Sequence, residues 1–228
     1  MQLELIRKIG DEMSLSGEVI RVVFLSLFVS ITSTLIASLT GMVLAIPIAL
    51  KDFRLKKYIV RLSETFMSIP PVLMGLVVYL VLSRKGPLGE LGLLFTPTAM
   101  IIAQSLLVFP IVFGLTVSAI GTRGRKIQKN CIALGAGKRD TLILIIKECK
   151  VQLLSVAAAG FGRAISEVGA VMMVGGNIKG DTRVMTTYIA LETGQGNFSG
   201  AITIGIILLL VAFVVNFILH GLIKMDRV

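Results

Sequence analysis

The sequence is poor in the side chains that bind metals or form covalent intermediates. It has one histidine, His220, and two cysteines, Cys131 and Cys149, among 228 residues. The spacing of the cysteines matches no metal-binding pattern. Both cysteines lie in a basic segment that we expect on the cytoplasmic side, where thiols stay reduced. We therefore expect no metal site, no disulfide and no catalytic residue in this chain.

The motifs of ATP hydrolysis and of serine nucleophiles are also missing. A phosphate-binding loop needs a glycine, four residues, and then Gly-Lys-Ser/Thr. The nearest match, Gly137-Lys138, is followed by Arg139 and preceded five residues earlier by Ile132. No Gly-x-Ser-x-Gly sequence occurs either. The sequence thus predicts a protein that is not an enzyme and binds no cofactor itself.

Apolar residues dominate the composition. They make up 55% of the chain, and the mean hydropathy is +0.91. A soluble domain of this size could not bury so much apolar surface, so most of the chain should lie in lipid. The net charge of +10 could suggest nucleic acid. The basic residues, however, lie between apolar runs rather than on one face, which argues against nucleic-acid binding.

The apolar runs predict an all-α, polytopic membrane protein with about five transmembrane helices. A short amphipathic helix at a membrane surface is expected first, over residues 1–21. The transmembrane domain then covers residues 22–222, and residues 223–228 form a cytoplasmic tail. The predicted spans are residues 22–50, 66–82, 98–120, 151–174 and 201–222.

The basic residues predict the orientation in the membrane. The loops after the first and third spans hold five and eight Lys or Arg, and the tail holds two. The N-terminal segment holds three, and each of the other two loops holds two. Short basic loops stay in the cytoplasm. We therefore expect the N-terminus outside, and the C-terminus and the loop of residues 121–150 inside.

The loop of residues 121–150 permits two interpretations. It could be a passive anchor that only keeps positive charge in the cytoplasm. Gly135 and Gly137, however, permit a tight turn between two short helices, which a passive anchor does not need. The sequence predicts a helix, a glycine turn and a second helix, a shape that fits the groove of a partner protein.

Several short stretches together resemble the permease subunits of bacterial and archaeal ABC importers, above all those of the oxyanion branch. The likeness covers roughly residues 22–222. It rests on Ala133-Leu-Gly-Ala136, Ile145, Arg163-Ala-Ile-Ser-Glu-Val-Gly-Ala170, Ile69-Pro-Pro-Val-Leu-Met-Gly75, Gly86-Pro-Leu-Gly89, Phe109-Pro110 and Asn177-Ile-Lys-Gly-Asp-Thr-Arg183.

This resemblance implies that residues 121–150 contain a coupling helix that binds a cytoplasmic ATPase. The contacts would centre on the turn formed by Ala133, Leu134, Gly135, Ala136 and Gly137. The chain departs from the family signature in two places. Lys129-Asn-Cys131 replaces Glu-Ala-Ala, and Lys147-Glu148 replaces Leu-Pro. The implied assembly is a homodimer with two ATPase subunits, which use ATP and Mg, and one extracytoplasmic binding protein for tungstate or molybdate.

Arg163 and Glu167 are charged residues within the fourth predicted span. At positions i and i+4 they can share a helix face and pair. Charge at bilayer depth is costly and should face protein or water rather than lipid. The pair could be a structural brace between closely packed helices. It could also line or gate a translocation path between two copies of the subunit.

The loop after the fourth span contains Asn177, Lys179, Asp181 and Arg183. It could be an ordinary polar loop. The resemblance instead implies a surface that receives the binding protein, where the charged side chains would steer docking more than tighten it.

Tungstate is the first candidate substrate, because Ser166-Glu-Val-Gly-Ala-Val-Met-Met-Val-Gly-Gly-Asn177 and Ile189-Ala-Leu-Glu-Thr-Gly194 look more like tungstate than sulfate permeases. Molybdate is second and sulfate third. An autonomous channel or secondary transporter is the alternative from a different class. No internal repeat of the kind frequent in such transporters is visible in the sequence. We expect the protein in the bacterial or archaeal cell membrane.

Overall fold

The computed structural model describes the backbone of residues 2–225 and the side chains of residues 17–219 and 221. Over this part of the chain the protein is helical and has no β-strand. A short 3₁₀ turn, Gly89–Leu91, lies between the third and fourth helices. The α-helices described are α1 Gln2–Leu50, α2 Lys56–Met67, α3 Pro71–Leu82, α4 Pro97–Ala133, α5 Lys138–Glu148, α6 Lys150–Ile165, α7 Gly169–Gly175, α8 Met185–Gly194 and α9 Phe198–Met225.

Three membrane spans, and up to five, can be assigned from helix length and composition. The parts of α1, α4 and α9 at Gly17–Leu50, Pro97–Ala133 and Phe198–Leu219 are each long and apolar enough to cross a membrane. The number rises to five if each bent pair, α2 with α3 and α6 with α7, is counted as one span. Counted this way, the described residues contain the number of spans that the apolar runs predict. The all-α polytopic fold is confirmed.

The second and fourth spans are broken, the second at the proline pair where the sequence predicts a helix start or kink. The chain turns by 97° between α2 and α3, so the predicted start at residue 66 is wrong, and Phe66 belongs to α2. Pro70 and Pro71 cause this break, because proline cannot donate the helical hydrogen bond and disfavours a helical residue before it. The chain turns by 59° between α6 and α7, where the sequence has no proline.

The first helix shows no boundary near residue 21. α1 is continuous from Gln2 to Leu50, so the backbone shows no break between the predicted helix of residues 1–21 and the first span. The glycines of this run before Pro47 are Gly10, Gly17 and Gly41, and single glycines cost too little to end a long helix. The amphipathic character of residues 1–16 depends on side chains outside those described. Residues 226–228 of the predicted tail also lie outside.

The third span is longer than predicted. α4 continues thirteen residues beyond residue 120, so nearly half of the predicted loop 121–150 belongs to this helix. It begins at a proline in the first turn, where the Thr96 hydroxyl caps it by accepting from the Ala99 amide at 3.4 Å. A turn at residues 134–137 leads into α5. The predicted arrangement of helix, glycine turn and helix is confirmed.

α1 and α4 form the centre of the fold and run side by side in the same direction. Ser33 of α1 lies beside Gln104 of α4, and near their C-terminal ends Asp52 lies beside Arg125. The basic segments after the first and third spans are therefore on one side of the molecule. α6 packs against both helices in the opposite direction. α9 lies at the periphery and leaves most of its apolar surface exposed.

Close packing between α3 and α7 depends on Gly75, and its substitution by alanine tests this. A Cβ atom at Gly75 would lie 2.7 Å from the Ala170 Cα atom, too close for any real contact. We expect Gly75→Ala to cost about 1–3 kcal/mol by overpacking. The midpoint of thermal unfolding in detergent should fall by about 2–4 °C for each kcal/mol lost.

The matched control is Gly205→Ala in α9. A Cβ atom there would meet nothing within 4 Å, so this variant should keep the midpoint or raise it slightly through better helix propensity. Equal midpoints for the two variants would contradict the close α3–α7 contact.

Candidate functional site

The break between α6 and α7 carries a pair of charged residues in the fourth predicted span. α6 ends at Ile165, α7 begins at Gly169, and Glu167 lies in the middle of the three residues between them. The Ser166 hydroxyl lies 3.0 Å from the carbonyl oxygen of Gly162, one turn earlier. A serine that bonds to the preceding turn bends a helix. This local chemistry contributes to the change in direction.

Arg163 and Glu167 form an ion pair at this break. The Arg163 Nη1 atom lies 2.9 Å from Glu167 Oε2, which confirms the predicted pairing. The two residues do not share a helix face, because α6 ends between them. The Glu167 side chain is only 3% exposed, whereas that of Arg163 is 35% exposed. The carboxylate is therefore held inside the protein, and part of the guanidinium reaches its surface.

Both carboxylate oxygens of Glu167 have partners. Oε2 binds Arg163, and Oε1 accepts a hydrogen bond from the Ala170 amide at 3.1 Å, in the first turn of α7. A buried carboxylate is tolerated only when it is paired and hydrogen-bonded in this way. Glu167 therefore links the end of α6 to the beginning of α7.

Neighbouring helices satisfy the backbone groups at the break. Gln104 of α4 donates from Nε2 to the Ala164 carbonyl oxygen at 2.9 Å and accepts from the Ser33 hydroxyl at 3.0 Å. Thr186 of α8 donates to the Glu167 carbonyl oxygen at 2.9 Å. These three side chains were not predicted as site residues. A buried glutamine in an apolar span does indicate a hydrogen-bonded role, but nothing in the sequence indicates Thr186.

The end of α4 and the turn after it are exposed and together contain all five residues predicted to contact an ATPase: Ala133, Leu134, Gly135, Ala136 and Gly137. Gly135 has a φ angle of +75°, a conformation that side chains disfavour. Leu134 is 86% exposed and Ile132 is 65% exposed. α5 adds further exposed apolar side chains, at Leu142, Ile143, Leu144 and Ile146. The turn and α5 thus present a continuous apolar surface to the outside of the chain.

The opposite side of α5 is anchored to the core. Ile145 is fully buried and packs in one cluster with Ala49 of α1 and Ile120 of α4. Cys149, at the end of α5, is buried in the same cluster, and this burial raises the pKa of its thiol. The side chain of Cys149 therefore behaves as a small apolar group. This packing connects α5 to α1 and α4.

Charged side chains cap the end of α1 beside the turn. Lys56 donates to the Ala49 carbonyl oxygen at 2.8 Å, and Arg125 donates to the same oxygen at 3.1 Å. Arg125 also pairs with Asp52, with an Nη2–Oδ1 distance of 2.9 Å. Cations at a helix C-terminus stabilise its unsatisfied carbonyl groups. These contacts join α1, α2 and α4 near the turn.

Glu18, near the N-terminal end of the first span, organises the loop that contains Asn177, Lys179, Asp181 and Arg183. Its carboxylate pairs with Lys179 at 2.8 Å and with Arg183 at 2.7 Å. Arg183 is only 13% exposed and its guanidinium lies 5.1 Å from the centre of the Tyr188 ring. Burial raises the pKa of Tyr188, so the ring stays neutral beneath this cation. Asp181 is exposed.

Comparison with known proteins identifies relatives along most of the chain. Residues 37–224 match the family described as binding-protein-dependent transport system inner membrane component. The tungstate uptake system permease protein TupB of Peptoclostridium acidaminophilum is 49% identical over 92% of each chain. TupB of Campylobacter jejuni is 42% identical over 75% of this chain and 72% of the relative. A probable anion ABC transporter permease protein of Haloferax volcanii is 37% identical over 84% of each.

The match to the family covers more than half of the chain, and each of these relatives is more than 30% identical. They are permease subunits and not enzymes, as the sequence predicts for this chain. The chain belongs to the family of binding-protein-dependent transport system inner membrane components, the multi-pass permease subunits of ABC transporters.

Proposed function

We propose that this permease carries tungstate into the cell as the membrane part of an ATP-driven importer. The observation that supports tungstate most strongly is the 49% identity to a tungstate uptake permease across 92% of both chains. A second tungstate permease, at 42% identity, supports the same substrate. The partly exposed Arg163 guanidinium places a cation beside the break in the fourth span, where it would favour a dianion.

Molybdate is the second candidate substrate. A molybdenum permease of Azotobacter vinelandii is 25% identical over 82% of this chain, and sulfate permeases are 23–24% identical. These are more distant than the tungstate permeases. Tungstate and molybdate are tetrahedral dianions of similar size, so an extracytoplasmic binding protein would do most of the selection between them.

Two copies of this chain, two cytoplasmic ATPase subunits and one binding protein would form the complete importer. The basic segments after α1 and α4 would face the cytoplasm, with the N-terminus outside and the C-terminus inside. ATP and Mg would be bound by the ATPase subunits. In this arrangement the turn at residues 133–137 and the apolar side of α5 would occupy a cleft in the ATPase.

The exposed side chains of the turn favour this docking role over that of a passive anchor. A passive anchor needs only positive charge, whereas Leu134 and Ile132 place apolar surface in water. Such surface marks an interaction site. The anchored side of α5 would then pass ATPase movements to α1 and α4 through Ile145.

The binding protein would dock on the opposite side, at the loop organised by Glu18. Lys179 remains 66% exposed while paired, and Asp181 is exposed, so both could make rim contacts. Arg183 is nearly buried and would act mainly by holding the loop in shape through Glu18. Asn177, with a φ angle of +52°, would turn the chain at the start of this loop.

The substrate is tested by uptake into proteoliposomes that contain the permease and its ATPase, with the binding protein added outside. We expect tungsten to accumulate when ATP is enclosed, as measured by mass spectrometry against molybdenum and sulfur. Accumulation of sulfur alone would show that the substrate is sulfate and would leave the ATP-driven importer supported. Flux that does not depend on ATP or the ATPase would contradict an ATP-driven importer and support a channel.

Leu134→Glu tests the docking of the ATPase at the turn. Because Leu134 is 86% exposed, the substitution should leave folding and membrane insertion intact. It should reduce the ATPase that co-purifies with the permease by at least about tenfold, equivalent to about 1.4 kcal/mol. The matched control is Leu91→Glu, an exposed leucine in the predicted external turn. Equal ATPase recovery with both variants would count against the turn as the docking site.

Glu167→Gln tests the role of the ion pair. Glutamine can still accept the Ala170 amide hydrogen bond, so the variant removes the charge but keeps the link to α7. An unpaired cation at this depth costs at least about 2.5–3.5 kcal/mol on insertion scales, and partial exposure of Arg163 reduces this. We expect tungstate uptake to fall by at least about tenfold while the dimer and its ATPase contact persist.

The control for this experiment is the double variant Arg163→Gln, Glu167→Gln, which removes both charges. If the pair is only a brace, the neutral double variant should recover uptake. If Arg163 itself attracts the dianion, uptake should stay low in the double variant. Loss of the dimer in Glu167→Gln, with uptake per remaining dimer unchanged, would favour the structural role.

A further inference from the structure

Helix α2 has the composition and the geometry of a helix that lies along a membrane surface. It meets α3 at 97°, so it runs nearly perpendicular to this apolar helix. Its sequence places Ile59, Leu62 and Phe66 on one side and Lys57 and Arg61 on another. A helix divided in this way lies in the interface, with its apolar side toward the acyl chains.

A groove of about 440 Å³ lies against the apolar side of α2. Its walls come from four helices and are apolar except for Ser63, whose hydroxyl is satisfied by donating to the Pro110 carbonyl oxygen at 3.1 Å. The groove opens sideways, because several lining residues are 44–56% exposed: Leu44, Leu62, Phe66 and Leu106. Water would find few hydrogen-bond partners there, so the groove suits hydrocarbon.

Positive charge lies on the other side of α2 from this groove. Lys57 and Arg61 are exposed and line one shallow recess, together with Phe53 and Glu64. Among the side chains that the structure describes, neither cation forms an ion pair. Arg61 precedes Leu62, a groove residue, so the two side chains leave the helix about 100° apart.

We propose that the groove holds an acyl chain of an anionic phospholipid whose phosphate group binds Arg61 and Lys57. One molecule of this kind satisfies both features, since it supplies hydrocarbon for the groove and negative charge for the cations. Anionic lipids attract basic segments beside membrane spans in this way. The site would hold the lipid in the leaflet on the side of the C-terminal ends of α1 and α4.

A second copy of this chain fits the groove less well. The segments on this side of the molecule carry most of its lysines and arginines, in a chain whose net charge is +10. A second copy would bring apolar surface but would place further positive charge near Arg61 and Lys57. The charge favours a lipid phosphate as the occupant.

The test measures lipid retained by the purified full-length protein. The protein would be reconstituted in nanodiscs of equal parts phosphatidylglycerol and phosphatidylcholine, re-extracted in mild detergent, and its bound lipids quantified by native mass spectrometry. Lys57→Gln with Arg61→Gln should lower retained phosphatidylglycerol by about fivefold for each cation removed, from the energy of a basic residue near anionic lipid. Retained phosphatidylcholine should change little.

Two further variants distinguish the contribution of the cations to lipid retention from that of the groove. The control Lys138→Gln with Arg139→Gln removes two exposed cations from α5, away from the groove, and should leave retention unchanged. Leu44→Trp at the exposed edge of the groove should lower retention of both lipids, because it occupies the space of the acyl chain. Equal retention of phosphatidylglycerol by the two double variants would overturn the phosphate contact.

Thiol cross-linking tests whether a second copy of the chain, rather than a lipid, occupies the groove. Leu62→Cys chains would be treated in membranes with a short reagent that links two thiols. The unaltered chain, whose Cys131 and Cys149 are both buried, is the control. Monomeric Leu62→Cys after treatment supports the lipid site. Efficient linking in pairs would place a second copy at the groove and overturn the proposal.

Discussion

A membrane protein must satisfy its own polar groups wherever a helix is interrupted in lipid, and this constraint governs the fourth span. The interruption between α6 and α7 exposes backbone groups and brings a buried carboxylate with it. Gln104 and Thr186, from two neighbouring helices, satisfy these backbone groups by donating hydrogen bonds to the Ala164 and Glu167 carbonyl oxygens. Arg163 neutralises the carboxylate. The break is therefore stable only while α4, α6, α7 and α8 pack together.

The other interruption meets the same constraint by different chemistry. Between α2 and α3 the chain uses Pro70 and Pro71, which have no amide hydrogen to leave unsatisfied. At the other end of α2, Lys56 and Arg125 cap α1 by binding the Ala49 carbonyl oxygen. Proline and partly exposed cations suit a site close to the membrane surface. The buried network of Gln104 suits the interior.

α1 connects the two surfaces at which partners would bind. Near one end, Glu18 holds Lys179 and Arg183 of the loop proposed to receive the binding protein. Near the other end, Ala49 packs against Ile145 of α5, beside the proposed ATPase site. Between them the helix is continuous and packs along α4. The two surfaces are therefore joined by close-packed helices rather than by a flexible linker.

The sequence by itself determined the helical class, the number of spans, the shared side of the basic segments, the glycine turn and the family, because hydropathy, charge and short motifs are local. It also indicated the Arg163–Glu167 pair. Only the tertiary structure decided where the helices bend without proline and which partners the charged residues find. Glu18 and Arg183 are 165 residues apart, and Gln104 lies 60 residues from Ala164. Such contacts depend on which helices pack together, and this is a property of the whole fold.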